Sequence, residues 1–257
     1  MRFSKISFGT LALATIATNP LLAADLPART YKAPPMMAPA AATWSGCYVG
    51  IEGGGAWGSS RHSAAMAPFL AGQPITNSFG LSGGLIGGTV GCNYQIDSWV
   101  FGVENDISWT SFRGTGTSLA PFTPQVSSRT DEKWLDTLRG RVGFSWDRAL
   151  IYGTAGVAFA GVAAGACSNV TGACLTNTQT RTGWVVGAGV EYAVWENLSL
   201  KLEYLHADFG NGRYFNTPGL LGPVTIITRD VKLTNDLVRV GVNWRFNSLP
   251  GMLSPGL

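Results

Sequence analysis

The sequence predicts an all-β protein, an eight-stranded antiparallel up-and-down barrel that crosses a membrane. Three observations carry that expectation. Eight segments of ten to fourteen residues alternate apolar and polar side chains at the two-residue period of a strand. The connections between them are short and long in strict turn. All nine tryptophans lie at or beside a segment end.

The chain has 257 residues, only 13% of them charged, and 34 are Gly, so Ser, Thr and Asn carry most of the polarity. Arg2 and Lys5 precede the apolar stretch ISFGTLALATIAT (6–18), which is too short to span a bilayer as a helix. Small residues follow in NPLLAAD, with a cleavage site after Ala23. Residues 1–23 therefore read as a secretory signal peptide. That segment holds two of the positive charges and no acid. The formal net charge of +3 is thus mostly a targeting feature, and nothing in it points to nucleic acid. Residues 24–43 are Pro- and Ala-rich without periodicity and read as an extended periplasmic linker.

The alternating segments fall at about 44–57, 83–96, 99–112, 134–146, 150–162, 182–194, 199–210 and 233–246. Asp97-Ser98, Asp147-Arg148-Ala149 and Trp195-Glu196-Asn197-Leu198 are tight hairpin turns. The other connections, 58–82, 113–133, 163–181 and 211–232, are long and polar. Outer-membrane barrels show this rhythm, with short periplasmic turns and long extracellular loops. An even strand number allows closure and leaves both ends of the domain 44–246 on the periplasmic side. Residues 247–257 form a C-terminal tail.

Side chains sort by face. In the last segment Val238, Val240, Val242, Trp244 and Phe246 share one side, and Arg239, Gly241, Asn243 and Arg245 the other. The sixth places Trp184, Val186, Ala188, Val190 and Tyr192 opposite Gly187, Gly189 and Glu191. The fourth places Leu138, Val142, Phe144 and Trp146 opposite Thr137, Arg139, Arg141 and Ser145. Lipid outside the barrel accounts for an apolar outer and polar inner face; a soluble barrel needs the reverse. The tryptophans form two girdles at the membrane–water interfaces. Trp57, Trp109, Trp134 and Trp184 make the upper one, with Phe159 and Phe209. Trp44, Trp99, Trp146, Trp195 and Trp244 make the lower one, with Tyr94, Tyr192 and Phe246.

The linker ADLPARTYKAPP, the first strand WSGCYVGIEGGGAWG and the last strand LVRVGVNWRF resemble the alphaproteobacterial outer-membrane β-barrel family, the porin-like or immunogenic surface proteins. The resemblance covers residues 1–246. It implies an eight-stranded OmpA-like barrel in a Gram-negative outer membrane, with Phe246 as the terminal aromatic read by the barrel-assembly machinery.

The inner face carries Glu52, Glu104, Asp106, Glu191 and Glu203 against Arg139, Arg141, Lys201, Arg239 and Arg245. Eight strands leave a bore only wide enough for side chains to fill, so these charges must pair. They are read as a plug of salt bridges or, alternatively, as the lining of a narrow pore for small solutes. Cys167 and Cys174 flank SNVTGA and suit a loop disulfide. Cys47 and Cys92 lie near the periplasmic ends of neighbouring strands and can be bridged if their register agrees. No spacing matches a metal site, and no cofactor is expected. His206 with Asp208 is the one pair that a lipid-acting enzyme could use, but no nucleophile–base–orienter set can be assembled around it. The sequence thus favours a non-enzymatic barrel with a structural and surface role. Its expected partners are outer-membrane lipids, lipopolysaccharide and the assembly machinery, with surface ligands left open. Gly53–Gly58 matches G-x-G-x-x-G, but no helix or acid follows as a dinucleotide site requires. Its glycines instead make room for large neighbours in a curved strand.

Overall fold

Asp97 and Asp147 open the two tightest hairpins. Both take left-handed backbone angles (φ 52° and 53°), which the short polar aspartate side chain tolerates. From these turns the strands run outward in antiparallel pairs. The computed structural model describes residues 43–65, 71–120, 126–215, 219–221, 224–226 and 228–246. The signal peptide (1–23), the linker apart from Thr43, and the tail (247–257) lie outside the described residues.

The long strands are β1 (Gly46–Ala64), β2 (Phe79–Ile96), β3 (Trp99–Thr117), β4 (Val126–Trp146), β5 (Ala149–Ser168), β6 (Cys174–Ala193) and β7 (Leu198–Tyr214). A two-stranded hairpin, β8 (Gly219–Leu221) and β9 (Val224–Ile226), interrupts the connection to the last long strand, β10 (Arg229–Phe246). Eight of these close into a ring in the order β1-β10-β7-β6-β5-β4-β3-β2. The seam joins β1 to β10 from Cys47 opposite Phe246 to Ala64 opposite Arg229. Closure leaves no unpaired edge, which a lipid environment requires.

Strand length departs from expectation. The ring strands run 17 to 21 residues, against the ten to fourteen expected. A membrane-spanning strand needs only about 9–11. The excess lies at the extracellular end, in stretches the sequence presents as polar loops. Polarity explains the difference. On β10, Val238, Val240 and Val242 face outward and Arg239 inward. From Leu237 upward, Leu237, Leu233 and Val231 face inward, while Asp236, Thr234 and Lys232 face outward. The reversal falls where Asp236 pairs with Trp57 of the upper girdle. Below that level lipid is the solvent; above it, water is. The same strand therefore has a membrane-barrel face pattern below the girdle and a soluble-barrel pattern above it. Bulges between Trp109 and Phe112 and between Glu132 and Trp134 sit at the same height, a usual place for bulges in barrels.

The girdles frame the span. On β3, Trp99 and Trp109 are both exposed. Ten residues of tilted strand correspond to roughly 25 Å along the barrel axis, the height of an outer-membrane apolar band. Trp57, Trp146, Trp184, Trp195 and Trp244 are also exposed on the wall or turns, and Trp134 is half-buried. Two assignments are corrected. Trp44 is fully buried inside the periplasmic mouth, because it precedes β1 and folds inward against Val100, Leu150, Tyr152 and Ala193. Phe209 is also inside, in the apolar layer of the extracellular half, because its position on β7 shares the inward face with Leu205 and Ala207.

Candidate functional site

The lumen holds the chemistry. Alternation on β1, β3, β4, β6, β7 and β10 turns one charged side chain after another inward, and the register stacks them at one level. Arg139 reaches Glu104 (2.5 Å), Asp106 (2.7 Å) and Glu203 (2.8 Å). Arg239 bonds Asp106 (2.5 Å), Glu203 (2.6 Å) and Glu52. Lys201 lies 3.1 Å from both Glu52 and Glu104. Arg141 joins Glu104 (3.3 Å) to Glu191 (2.9 Å). None of these side chains is more than marginally exposed. Nine of the ten charges expected in the lumen therefore form one continuous ion-pair network. Arg245 is the exception and is corrected. It is buried, but its guanidinium lies 4.5 Å from the Trp44 ring centroid and donates to the Thr43 carbonyl. Its strand position is one full pleat nearer the mouth than Asn243, the last β10 residue to reach Glu191.

Two tyrosines with no distinguishing sequence signal complete the network. The Tyr48 hydroxyl donates to Glu104 (2.5 Å) and accepts from Arg141 (2.8 Å). The Tyr152 hydroxyl donates to Glu203 (3.0 Å), and its ring lies 3.9 Å from the Arg141 guanidinium carbon. Each ring covers a cross-strand glycine, Gly91 under Tyr48 and Gly189 under Tyr152, where a Cβ would collide with the ring. Gly54, the middle residue of the glycine run, faces Arg239. A Cβ there would strike the Val238 carbonyl and the Arg239 stem. The glycine run thus makes room for the cation at the centre of the network.

Apolar layers close the lumen on both sides of the charges. The Trp44 cluster caps the periplasmic mouth. Leu81, Leu85, Phe112, Leu135, Val162, Leu205, Phe209, Leu233 and Leu237 fill the extracellular half. Glu132 is embedded among them. Its Oε2 accepts from Asn235 (2.5 Å), and its Oε1 has no hydrogen-bond partner among the described residues. Above the upper girdle, outside the membrane span, His62 is buried beside Thr130 (3.0 Å) and Arg229 (3.5 Å). Burial, reinforced by the Arg229 guanidinium, pushes the His62 pKa down to about 3. Burial likewise lowers Arg229 to about 10. Arg229 donates to Ser128 (2.9 Å) and lies against the Phe215 ring. The sequence placed His62 in a loop and did not mark Glu132 or Arg229. The available signal was the inverted alternation of 229–237.

The disulfides are Cys47–Cys92, across the β1–β2 register, and Cys167–Cys174, across the β5–β6 hairpin. The candidate pair His206 and Asp208 shares a face but is not joined by a hydrogen bond or ion pair. Both face outward on β7, but Asp208 bonds the Gly210 amide, while His206 reaches across to Asp236 on β10 (2.8 Å). Tyr204 donates to the same Asp236 oxygen (2.6 Å). Cross-strand neighbours are nearer than residues two apart along a strand. No group of three potential metal ligands occurs among the described residues. Phe246 ends β10 opposite Cys47, its ring exposed on the outer wall.

A closed ring of eight antiparallel strands, wrapped in apolar side chains between two tryptophan girdles and filled with charge, is a transmembrane β-barrel of the outer-membrane type. The chain belongs to the outer membrane protein beta-barrel domain family, whose model matches residues 33–246. It is 29% identical over 241 residues to the 31 kDa outer-membrane immunogenic protein of Brucella melitensis, covering 91% of this chain and 97% of that one. It is 31% identical over 180 residues to the 22 kDa outer membrane protein of Rhizobium leguminosarum bv. viciae, covering 68% of each. Among solved structures, the outer membrane protein OprG from Pseudomonas aeruginosa aligns over 80% of this chain and 99% of its own, at 15% identity and a TM-score of 0.49. The protein is an integral outer-membrane barrel.

Proposed function

We propose that the protein is a non-conducting, non-enzymatic barrel that contributes to envelope integrity and presents a surface for interaction. The single observation behind this reading is the stack inside the lumen: a continuous ion-pair network with an apolar layer on either side. A conducting pore needs an aqueous path past its charges. Here each carboxylate of the network is held by at least one base, and apolar side chains pack above and below it, with buried polar groups such as Glu132 and Asn235 bonded to one another among them. The only acid–histidine pair among the described residues, His206–Asp236, faces outward beside Trp184 with a tyrosine as its third member. That set suits an interfacial anchor better than a nucleophile with its base. Outer-membrane lipids and lipopolysaccharide are the proposed surroundings, and the assembly machinery the proposed reader of Phe246. The relatives named immunogenic support a role at the cell surface. Flux into proteoliposomes tests the reading. Liposomes carrying the folded barrel should swell in a small sugar no faster than empty ones; swelling that scales with protein favours a narrow porin instead.

A further inference from the structure

Just above the upper girdle, two cations face each other with no acid between them. Arg61 on β1 and Lys232 on β10 are register partners on the seam, both exposed on the outer wall. Like charges directly opposite in a strand pair destabilise it. Neither makes an ion pair or side-chain hydrogen bond among the described residues. The nearby acids are committed elsewhere: Asp230 to Arg213 (3.2 Å) and Asp236 to His206 and Tyr204. Residues 58–82 contain no acid, and residues 211–232 contain only Asp230. Beneath the two cations the hydroxyls of Ser59 and Thr234 meet at 3.0 Å. With Ser78 these residues line a shallow pocket of about 200 Å³.

The position names the ligand class. Arg61 is four residues beyond Trp57, roughly 10 Å higher along the barrel axis for a tilted strand. An indole of the girdle marks the edge of the hydrocarbon, so the pair stands at headgroup height with its long side chains able to reach down. We propose that Arg61 and Lys232, with Ser59 and Thr234, bind the phosphate group of a phosphorylated glycolipid in the outer leaflet. A phosphate turns the opposed cations into two charge-assisted contacts and gives the hydroxyls an acceptor. The site deepens the proposed association with outer-membrane lipid and assigns it to one seam of the barrel.

The test uses the full folded chain in neutral-detergent micelles, titrated with bisphosphorylated lipid A, with the same lipid after dephosphorylation, and with inorganic phosphate. The variants are Arg61→Gln/Lys232→Gln and, as a control away from the seam, Arg113→Gln on β3. Heat-modifiable gel mobility verifies folding, and the single variants of each residue serve if the double variant is poorly folded. The parent should bind phosphorylated lipid A at least about tenfold more tightly than the double variant, because two cations near an anionic surface are lost. The control should match the parent, and dephosphorylated lipid should bind weakly to both. Equal binding by parent and double variant overturns the site while leaving the wider lipid association standing. No binding by the parent overturns both. Inorganic phosphate binding as tightly as the lipid overturns the glycolipid assignment.

Discussion

Arg239 on β10 and Glu203 on β7 are register partners whose charged atoms lie 2.6 Å apart with neither side chain exposed. The same guanidinium holds Glu52 and Asp106, so three carboxylates from three other strands depend on it. Replacing it with an apolar side chain removes one cation from a bore of low dielectric and leaves those three carboxylates to Arg139 and Lys201 alone. Arg239→Met should cost about 3–5 kcal/mol. Urea unfolding in micelles, followed by tryptophan fluorescence, measures this, and Arg239→Lys should recover part of the loss.

Tyr48 acts on the same network through a single hydroxyl. Tyr48→Phe keeps the ring over Gly91 but removes the donor to Glu104 and the acceptor for Arg141. A loss of about 1–3 kcal/mol is expected, smaller than for Arg239→Met in the same assay. A loss as large would mean that the hydroxyl, not the cation, organises the lumen.

Glu132 should behave in the opposite way from the network acids. It has one partner, Asn235, and no cation within ion-pair distance among the described residues. A neutral amide of the same shape avoids burying a charge. Glu132→Gln should leave the unfolding midpoint unchanged or raise it, whereas Glu203→Gln should lower it. Equal losses in the two variants would contradict the distinction.

His62 makes the extracellular end acid-sensitive. Its folded pKa, about 3, lies below the ordinary value of 6.5. Between those values the unfolded chain takes up a proton that the folded chain refuses. The contribution is therefore fully present above about pH 6.5 and is lost as pH falls toward 3, by up to about 1.4 kcal/mol per pH unit. Carboxylates titrate in the same range, so the informative quantity is the difference between the parent and His62→Gln. That difference should shrink as pH falls from 7 to 4 if the substituted side chain keeps the Thr130 contact.

The two disulfides should differ in worth. Cys47–Cys92 spans 45 residues of sequence and Cys167–Cys174 spans 7. Loop-closure entropy assigns them about 4 and about 2.4 kcal/mol. Cys47→Ala/Cys92→Ala should therefore lower the unfolding midpoint more than Cys167→Ala/Cys174→Ala, with both variants still closing the ring.

Lipid made much of this fold legible. It makes the outward residues between the girdles apolar with few exceptions, such as the hydrogen-bonded Asn105 and Asp136, so the alternation at Val238, Val240 and Val242 gives face and strand together, and the aromatic ends give the span. The same rule hid the extracellular end of each ring strand. Above Trp57 the outer face meets water, and Lys232 and Arg61 read as loop although they are paired strand. The charge network was legible because large ions on the inner face of a narrow barrel have only each other as partners. Arg245 escaped that logic because an indole stood nearer than a carboxylate, and Trp44 escaped the girdle because its backbone turns inward before β1 begins. His206–Asp236 needed the β7–β10 register, which no local pattern encodes.

The most direct test of the closed lumen is single-channel recording of the pure, folded chain in a planar bilayer. The charge network and its apolar caps predict a flat baseline across the voltage range that the bilayer survives, from protein shown to be folded by its heat-modifiable mobility. Uniform, reproducible conductance steps that scale with the amount of folded barrel would contradict it.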